Sequence, residues 1–360
     1  MRKFFLSIAI LFTVIAQAQK TENIVIITTD GYRWQELFGG MDQVIANNKD
    51  YNEKDSAYIF RNYWSEDIGV RREKLMPFFW NTIAKNGQLY GNRNFDNKVN
   101  VTNPYWFSYP GYSEIMCGFA DTAINSNGYK NNPNTTLLEF LNHQPELNGK
   151  VAAFGAWEAF NRILNEERSG LPVVAAFDDC GGKDPNANEQ LINRMRRDAH
   201  VQWRSECFDV FTHYAAMETL KNKKPTVLYI AYGETDEWAH GHEYRSYLDA
   251  AHQFDAYVKE IWDYLQSDPK YKNKTSLFIT TDHGRGDILK NQWTSHGASI
   301  EGANQIWCAA MGPGIQPTGE MRNSNQLYQK EFAQTIANLL GYTFTAEHPV
   351  AEAIRSITGK

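Results

Sequence analysis

The chain has 360 residues, a formal net charge of -6 at neutral pH, and Lys and Arg scattered in short groups such as "RR" and "KNKK". That balance argues against a nucleic-acid-binding surface, and the length admits one large α/β domain or two smaller ones. Four cysteines, at 117, 180, 207 and 308, lie without any C-x-x-C spacing, so neither a zinc ribbon nor a redox dithiol is indicated.

The chain opens on "MRKFFLSIAILFTVIAQAQK", in which Arg2 and Lys3 precede an apolar run from Phe4 to Ala16 and an Ala-x-Ala pattern ends at Ala18. This is the pattern of a secretory signal peptide, residues 1–18, leaving a single domain over 19–360. The apolar run is shorter than the roughly 20 residues a spanning helix needs, so the expectation is an exported protein, periplasmic or secreted, with no stable membrane anchor. Cys180 and Cys207 could pair in an oxidising compartment or stay as buried thiols, while Cys117 and Cys308 sit in apolar settings and read as core.

Along the chain, short apolar runs alternate with stretches of helical period, which predicts a mainly parallel sheet covered by helices. Strands are expected at "NIVIITT" (23–29), "KVAAFGA" (150–156), "TVLYIAY" (226–232), "SLFITT" (276–281) and "IWCAAMG" (306–312), several apolar throughout, as strands buried on both faces are. Residues 41–60 and 177–190, rich in Asn, Asp, Gly and Lys, read as surface loops or small insertions near a cleft. The helical segment 188–221 is assigned to a small cap over the sheet, within a cap region of about 177–221. Leu248, Ala251, Phe254, Val258, Ile261 and Leu265 recur at helical spacing and predict an amphipathic helix over 244–266.

Three strands end alike: "IVIITTDG" delivers Asp30, "VLYIAYGETDEWAH" delivers Asp236 and His240, and "LFITTDHG" delivers Asp282 and His283. The carboxyl ends of parallel strands share one sheet edge. Three carboxylates gathered there repel and raise one another's pKa values unless positive charge lies between them, and no lysine or arginine cluster in these motifs provides it. Divalent ions do, and a mixed Asp and His donor set suits zinc, manganese or iron better than calcium. His296, in "QWTSHGAS", can return to the same edge as a further nitrogen donor; Asp236 and His240, four apart, share one side of a helical turn. His242 is the rival to His240 and ranks second. Arg285, next after the Asp-His-Gly, could meet an anion but reads as a surface arginine.

A catalytic metal site also needs a nucleophile within reach. In "NPYWFSYPGYSEIMCG", Ser108 stands on a Pro- and Gly-bounded turn before a short helix from about Tyr112, where free backbone N–H groups favour an anion. Beside a metal it would be activated as an alkoxide. Ser113 is the competing hydroxyl. Tyr105, Trp106 and Tyr109 could stack a base or an aryl leaving group, or be core.

Taken in order and spacing, "TTDGYRWQ", "SYPGYSEIMCG", "TDEWAHGH", "TTDHGRGD" and "SHG" resemble the alkaline phosphatase superfamily, most closely its nucleotide pyrophosphatase/phosphodiesterase-like branch. The resemblance implies a doubly wound α/β fold, a mainly parallel sheet with helices on both faces, holding two divalent ions, most often zinc. It implies one ion on Asp236, His240 and His296, the other on Asp30, Asp282 and His283, and Ser108 as nucleophile and ligand beside the second. An asparagine holding a phosphate oxygen is implied some twenty residues on, at Asn125 or Asn127, of which Asn127 is taken. The implied activity is hydrolysis of a small-molecule phosphate ester, monoester or diester, through a phosphoseryl intermediate. Transfer to an alcohol by the same chemistry, and a metal-containing binding protein without turnover, are the alternatives. The chain departs from the branch at Ser108-Tyr109-Pro110-Gly111, where Thr-Phe-Pro-Asn is usual. The sulfatase pattern Cys-x-Pro-x-Arg is not found at Cys117.

Overall fold

The computed structural model describes residues 20–52 and 54–359, so the segment read as a signal peptide lies outside the described residues. The described residues hold eleven strands: β1 Asn23–Thr29, β2 Gly87–Tyr90, β3 Asn97–Asn100, β4 Val151–Gly155, β5 Val173–Ala175, β6 Val227–Tyr232, β7 Thr275–Thr280, β8 Gln305–Ile306, β9 Cys308–Met311, β10 Gly319–Glu320 and β11 Asn325–Tyr328. Eight form the central sheet in the order β10-β2-β9-β7-β1-β6-β4-β5, and β11-β3-β8 form a small second sheet.

The expected strands are present with ends shifted by a residue or two. β1 is central, parallel to β6 on one side and to β7 on the other, and β4 and β5 continue the parallel run. β9, from "IWCAAMG", is instead antiparallel to both β7 and β2. Every residue of β1 is buried, and its side chains divide by parity: Val25 and Ile27 enter one core, Ile24 and Ile26 the other. That alternation is the period-two geometry of a strand covered on both faces.

Helices cover both faces. α1 is Ser108–Cys117, α2 Ala187–Asp198, α3 Asp209–Asn222, α4 Glu234–His240, α5 Tyr244–Ser267 and α6 Phe332–Leu340. α5 spans the expected range and seats Leu248, Phe254, Val258 and Ile261 in the first core, while α6 seats Phe332 and Ile336 in the second. Each such side chain contributes about 1.5–3 kcal/mol by burial. Two expectations are corrected. Residues 41–60 hold the short helices Gln43–Asn47, Lys49–Asn52 and Ser56–Tyr63, the first capped by Asp42, with Ile45, Tyr51 and Ile59 buried against the core. Of the segment assigned to a cap, α3 lies on β6 and β4 as part of the helical layer, and α2 packs on α3. All four cysteines are free and buried.

His213, on α3, is fully buried, stacked on Tyr257 at 4.0 Å, 2.9 Å from the Tyr232 hydroxyl and 3.1 Å from Glu260. Burial pulls its imidazole down to about 4, against the pull of Glu260. The unfolded chain therefore binds a proton below about pH 6.5 that the folded chain refuses until near pH 4, so this contribution to stability is complete above that window and lost as pH falls through it. Denaturant unfolding of wild type and His213→Gln measures it: the wild-type advantage should shrink by about 2 kcal/mol between pH 7 and pH 4.5. An advantage independent of pH would refute the assignment.

Candidate metal centre and nucleophile

The site is built by strand ends that stop level. Thr29 pairs with Tyr232 and Thr28 with Thr280, so Asp30, α4 and the Asp282-His283 pair leave the sheet at one edge. At Gly31 the chain turns with φ at +57°, and a Cβ there would lie 2.8 Å from Arg285 Nη1 and closer still to Asp236 Oδ1. Only glycine fits this turn.

α1 begins at Ser108 itself, with Phe107 as its N-cap, one turn earlier than the sequence suggested. Pro110 and Gly111 read as turn residues, but proline is tolerated in a first helical turn, where its missing N–H has no intrahelical use. Gly111 explains the close approach: a Cβ there would lie 2.6 Å from the Asp282 carbonyl oxygen. Helix and strand edge touch, and Ser108 Oγ lies 3.4 Å from His283 Nε2. Trp106, two residues earlier, has φ at +54°, a conformation bulky residues rarely adopt. Its carbonyl accepts the N–H of Gly297, fastening the segment before Ser108 to the loop that carries His296.

Six of the expected side chains meet in two groups, Asp236 with His240 and His296, and Asp30 with Asp282 and His283, the donor atoms of each lying within 4.8 Å of one another. In the first, His240 Nε2 is 3.0 Å from Asp236 Oδ2 and 2.9 Å from His296 Nε2. In the second, His283 Nε2 is 3.2 Å from Asp30 Oδ1 and 3.5 Å from Asp282 Oδ2. The groups adjoin, with the His283 and His296 rings 4.0 Å apart. His242 is in neither group; it is exposed, at φ +64°, with its ring beside Tyr51. Asn127 accepts the Tyr109 N–H at 2.9 Å through Oδ1, which leaves its Nδ2 as a donor at the start of α1. Asn125 is exposed.

Two residues escaped the sequence reading. Tyr112, inside α1, donates to Asp30 Oδ2 at 3.1 Å. Arg285, expected at the surface, is 1% exposed: Nε donates to the Trp293 carbonyl at 2.7 Å, Nη2 to the Thr294 carbonyl at 2.6 Å, and Nη1 to Asp236 Oδ1. The motifs do therefore contain one cation. No periodic signal could have placed it, because it follows the end of a strand.

Electrostatics separate the two groups. Burial, then Asp30, pushes the Asp282 carboxyl well above the usual range, and burial, then Asp236, raises Asp30. Burial would also raise Asp236, but Arg285 and then His240 and His296 hold it well below. Burial lowers His283, yet Asp282 and Asp30 push it up to about 9. Asp30 Oδ1 and Asp282 Oδ2 are buried with no hydrogen-bond partner; Asp30 Oδ1 approaches His283 without hydrogen-bond geometry. Orphaned carboxylate oxygens converging with an imidazole nitrogen are what a divalent cation satisfies, so the residues fit a metal.

The fold and the two donor groups can now be set beside known proteins. Residues 200–343, which carry Asp236, His240, Asp282, His283 and His296, match the family model of the Metalloenzyme superfamily. Among solved structures, the alkaline phosphatase PafA aligns with a TM-score of 0.60 at 11% identity, over 94% of this chain and 99% of that one. The lipoteichoic acid synthase LtaP from Listeria monocytogenes aligns at 0.53 and 13% identity, over 91% and 73%. A 2-O GAG sulfatase aligns at 0.55 and 14%, over 95% and 75%. No curated protein matches the chain. The fold that the resemblance implied is the fold these neighbours share, and the Metalloenzyme superfamily model matches the segment that carries five of the six expected donors.

Proposed function

We propose that this protein is an exported hydrolase of small-molecule phosphate esters that uses two divalent ions, most simply zinc, and a phosphoseryl intermediate on Ser108. The observation that carries this reading is Ser108 Oγ at the first position of α1, 3.4 Å from His283 in a buried Asp30-Asp282-His283 set. Ions held by the two sets would lower the pKa of the nucleophile and stabilise charge on the attacking and leaving oxygens. Ser108 Oγ gives its proton to solvent and attacks phosphorus in line, the bond to the leaving oxygen breaks, and that oxygen departs as the alcohol after taking a proton from solvent. Water, losing a proton to solvent, then attacks opposite Oγ, the bond to Oγ breaks, Oγ takes a proton back from solvent, and inorganic phosphate or a monoester leaves. Asn127 Nδ2 and the start of α1 bind a phosphate oxygen, and Tyr112 orients Asp30 for its ion.

Ser108 is followed by Pro110, as in the sulfatase pattern, but Tyr112 stands where that pattern has arginine. This favours phosphate over sulfate. The name of LtaP supports transfer to an alcohol as the second reading. No helix among the described residues is long and apolar enough to cross a membrane. The test compares matched aryl phosphate monoester, diester and sulfate with zinc-loaded protein, with and without added alcohol. Phosphate ester turnover yielding the free phosphate product supports the hydrolase, and phosphorylated alcohol as main product replaces it by the transferase. Turnover of sulfate alone, or of nothing, removes the reading.

A further inference from the structure

We infer that the two ion subsites are unequal by construction: the Asp30-Asp282-His283 subsite fills first and tightly, and Arg285 makes the Asp236-His240-His296 subsite weak and exchangeable. The inference rests on the two-metal reading above and deepens it.

Three independent features agree. The first is charge. Asp30 and Asp282 bring two carboxylates to their subsite, and no lysine or arginine among the described residues hydrogen-bonds to either. Asp236 brings one, and Arg285 already pairs with its Oδ1. A divalent ion entering there meets a donor set whose negative charge is balanced in advance by a guanidinium that stays charged at any working pH.

The second is the tautomer of each histidine. His283 Nδ1 lies 2.9 Å from the Gly284 carbonyl, which can only accept, so Nδ1 keeps its proton when an ion displaces any proton from Nε2, the atom that faces Asp30 and Ser108. This is the arrangement of a ligating imidazole whose other nitrogen donates to an acceptor. His240 is arranged oppositely: its Nδ1 faces Arg285 Nη2 at 3.3 Å, and a guanidinium can only donate. The proton of His240 therefore sits on Nε2, the atom facing Asp236 and His296. An ion bound there must move this proton to Nδ1, which then points at a donor.

The third is access. Asp282 and His283 side chains are 0% exposed, whereas that of His240 is 44% exposed and open to competing water. Arg285 cannot easily swing aside, because the Trp293 and Thr294 carbonyls hold it and the turn at Gly31 closes over it.

The experiment is calorimetric titration of the metal-free full-length chain with Zn²⁺, using a competing chelator for the tight class, together with metal counting after desalting. The wild type should show two classes separated by at least about tenfold, with one ion per chain surviving desalting. Asp236→Asn should lose the weak class alone. Arg285→Gln should tighten the weak class by about tenfold or more, and Arg285→Lys, which keeps the charge, should tighten it far less. Two equal classes in wild type, loss of the tight class in Asp236→Asn, or a folded Arg285→Gln whose weak class is unchanged or weaker would each overturn the inference while leaving the two-metal reading intact. If Arg285→Gln does not fold, the wild-type and Asp236→Asn titrations still decide. Failure of the wild type to bind any Zn²⁺ would overturn both.

Discussion

Ser108→Ala should lose ester turnover by about a thousandfold or more while keeping its ion content and its melting temperature. Only the hydroxyl is removed, and its one side-chain hydrogen bond among the described residues, to His283 at 3.4 Å, is too long to contribute much to stability. Besides Ser108 itself, each ion keeps three donors, from Asp30, Asp282 and His283 or from Asp236, His240 and His296, which is why its binding should survive the substitution. The residual rate would come from positioning and charge stabilisation alone. Assay of zinc-loaded wild type and variant, with metal analysis of both, checks this. Equal turnover would remove Ser108 from the mechanism and direct attention to Ser113, which is buried and 3.0 Å from Asn132 Nδ2.

Asp282→Asn should act in opposite directions on the ion-free and ion-loaded protein. Burial and the neighbouring Asp30 carboxylate raise Asp282 well above its ordinary range, so the ion-free folded state binds a proton more readily than the unfolded chain does. Its stability therefore falls as pH rises above the usual carboxylate range. The amide abolishes that term and can still accept the Gly31 N–H through its oxygen, so the ion-free variant should be at least as stable as wild type at alkaline pH. Added zinc should then stabilise wild type strongly and the variant little, because one donor and one charge of the tight subsite are gone. Losing an outer partner of a metal ligand costs about 10–100-fold, and loss of the ligand itself should cost turnover at least as much. Thermal melts with and without zinc at two pH values measure both signs; a variant that gains as much from zinc as wild type would show that Asp282 is not a donor.

Much of the site was legible because it hangs on strand ends. A strand buried on both faces declares itself as an apolar run, and the first charged residue after it marks the edge, as Asp30 and Asp282 do. The i, i+4 spacing of Asp236 and His240 was equally readable once a helix was assumed there, and α4 provides it. What was not legible lacks period or direction. β2, β5 and β10 are two to four residues long, too short for alternation to register. Pro110 and Gly111 carry turn preferences that the helix overrides, because one needs no N–H and the other must pass close to Asp282. Arg285 shows the largest gap. Composition makes an arginine after a strand end a surface residue, and only the backbone path that brings the Trp293 and Thr294 carbonyls around it makes it a buried cation.

The central claim, covalent catalysis through Ser108, is tested most directly by the stereochemical course at phosphorus, using an isotopically chiral aryl phosphate ester and zinc-loaded wild type. Two successive in-line displacements give net retention of configuration, which is the result this account expects. Net inversion would mean that water attacks the substrate directly, and Ser108 would then have no covalent role.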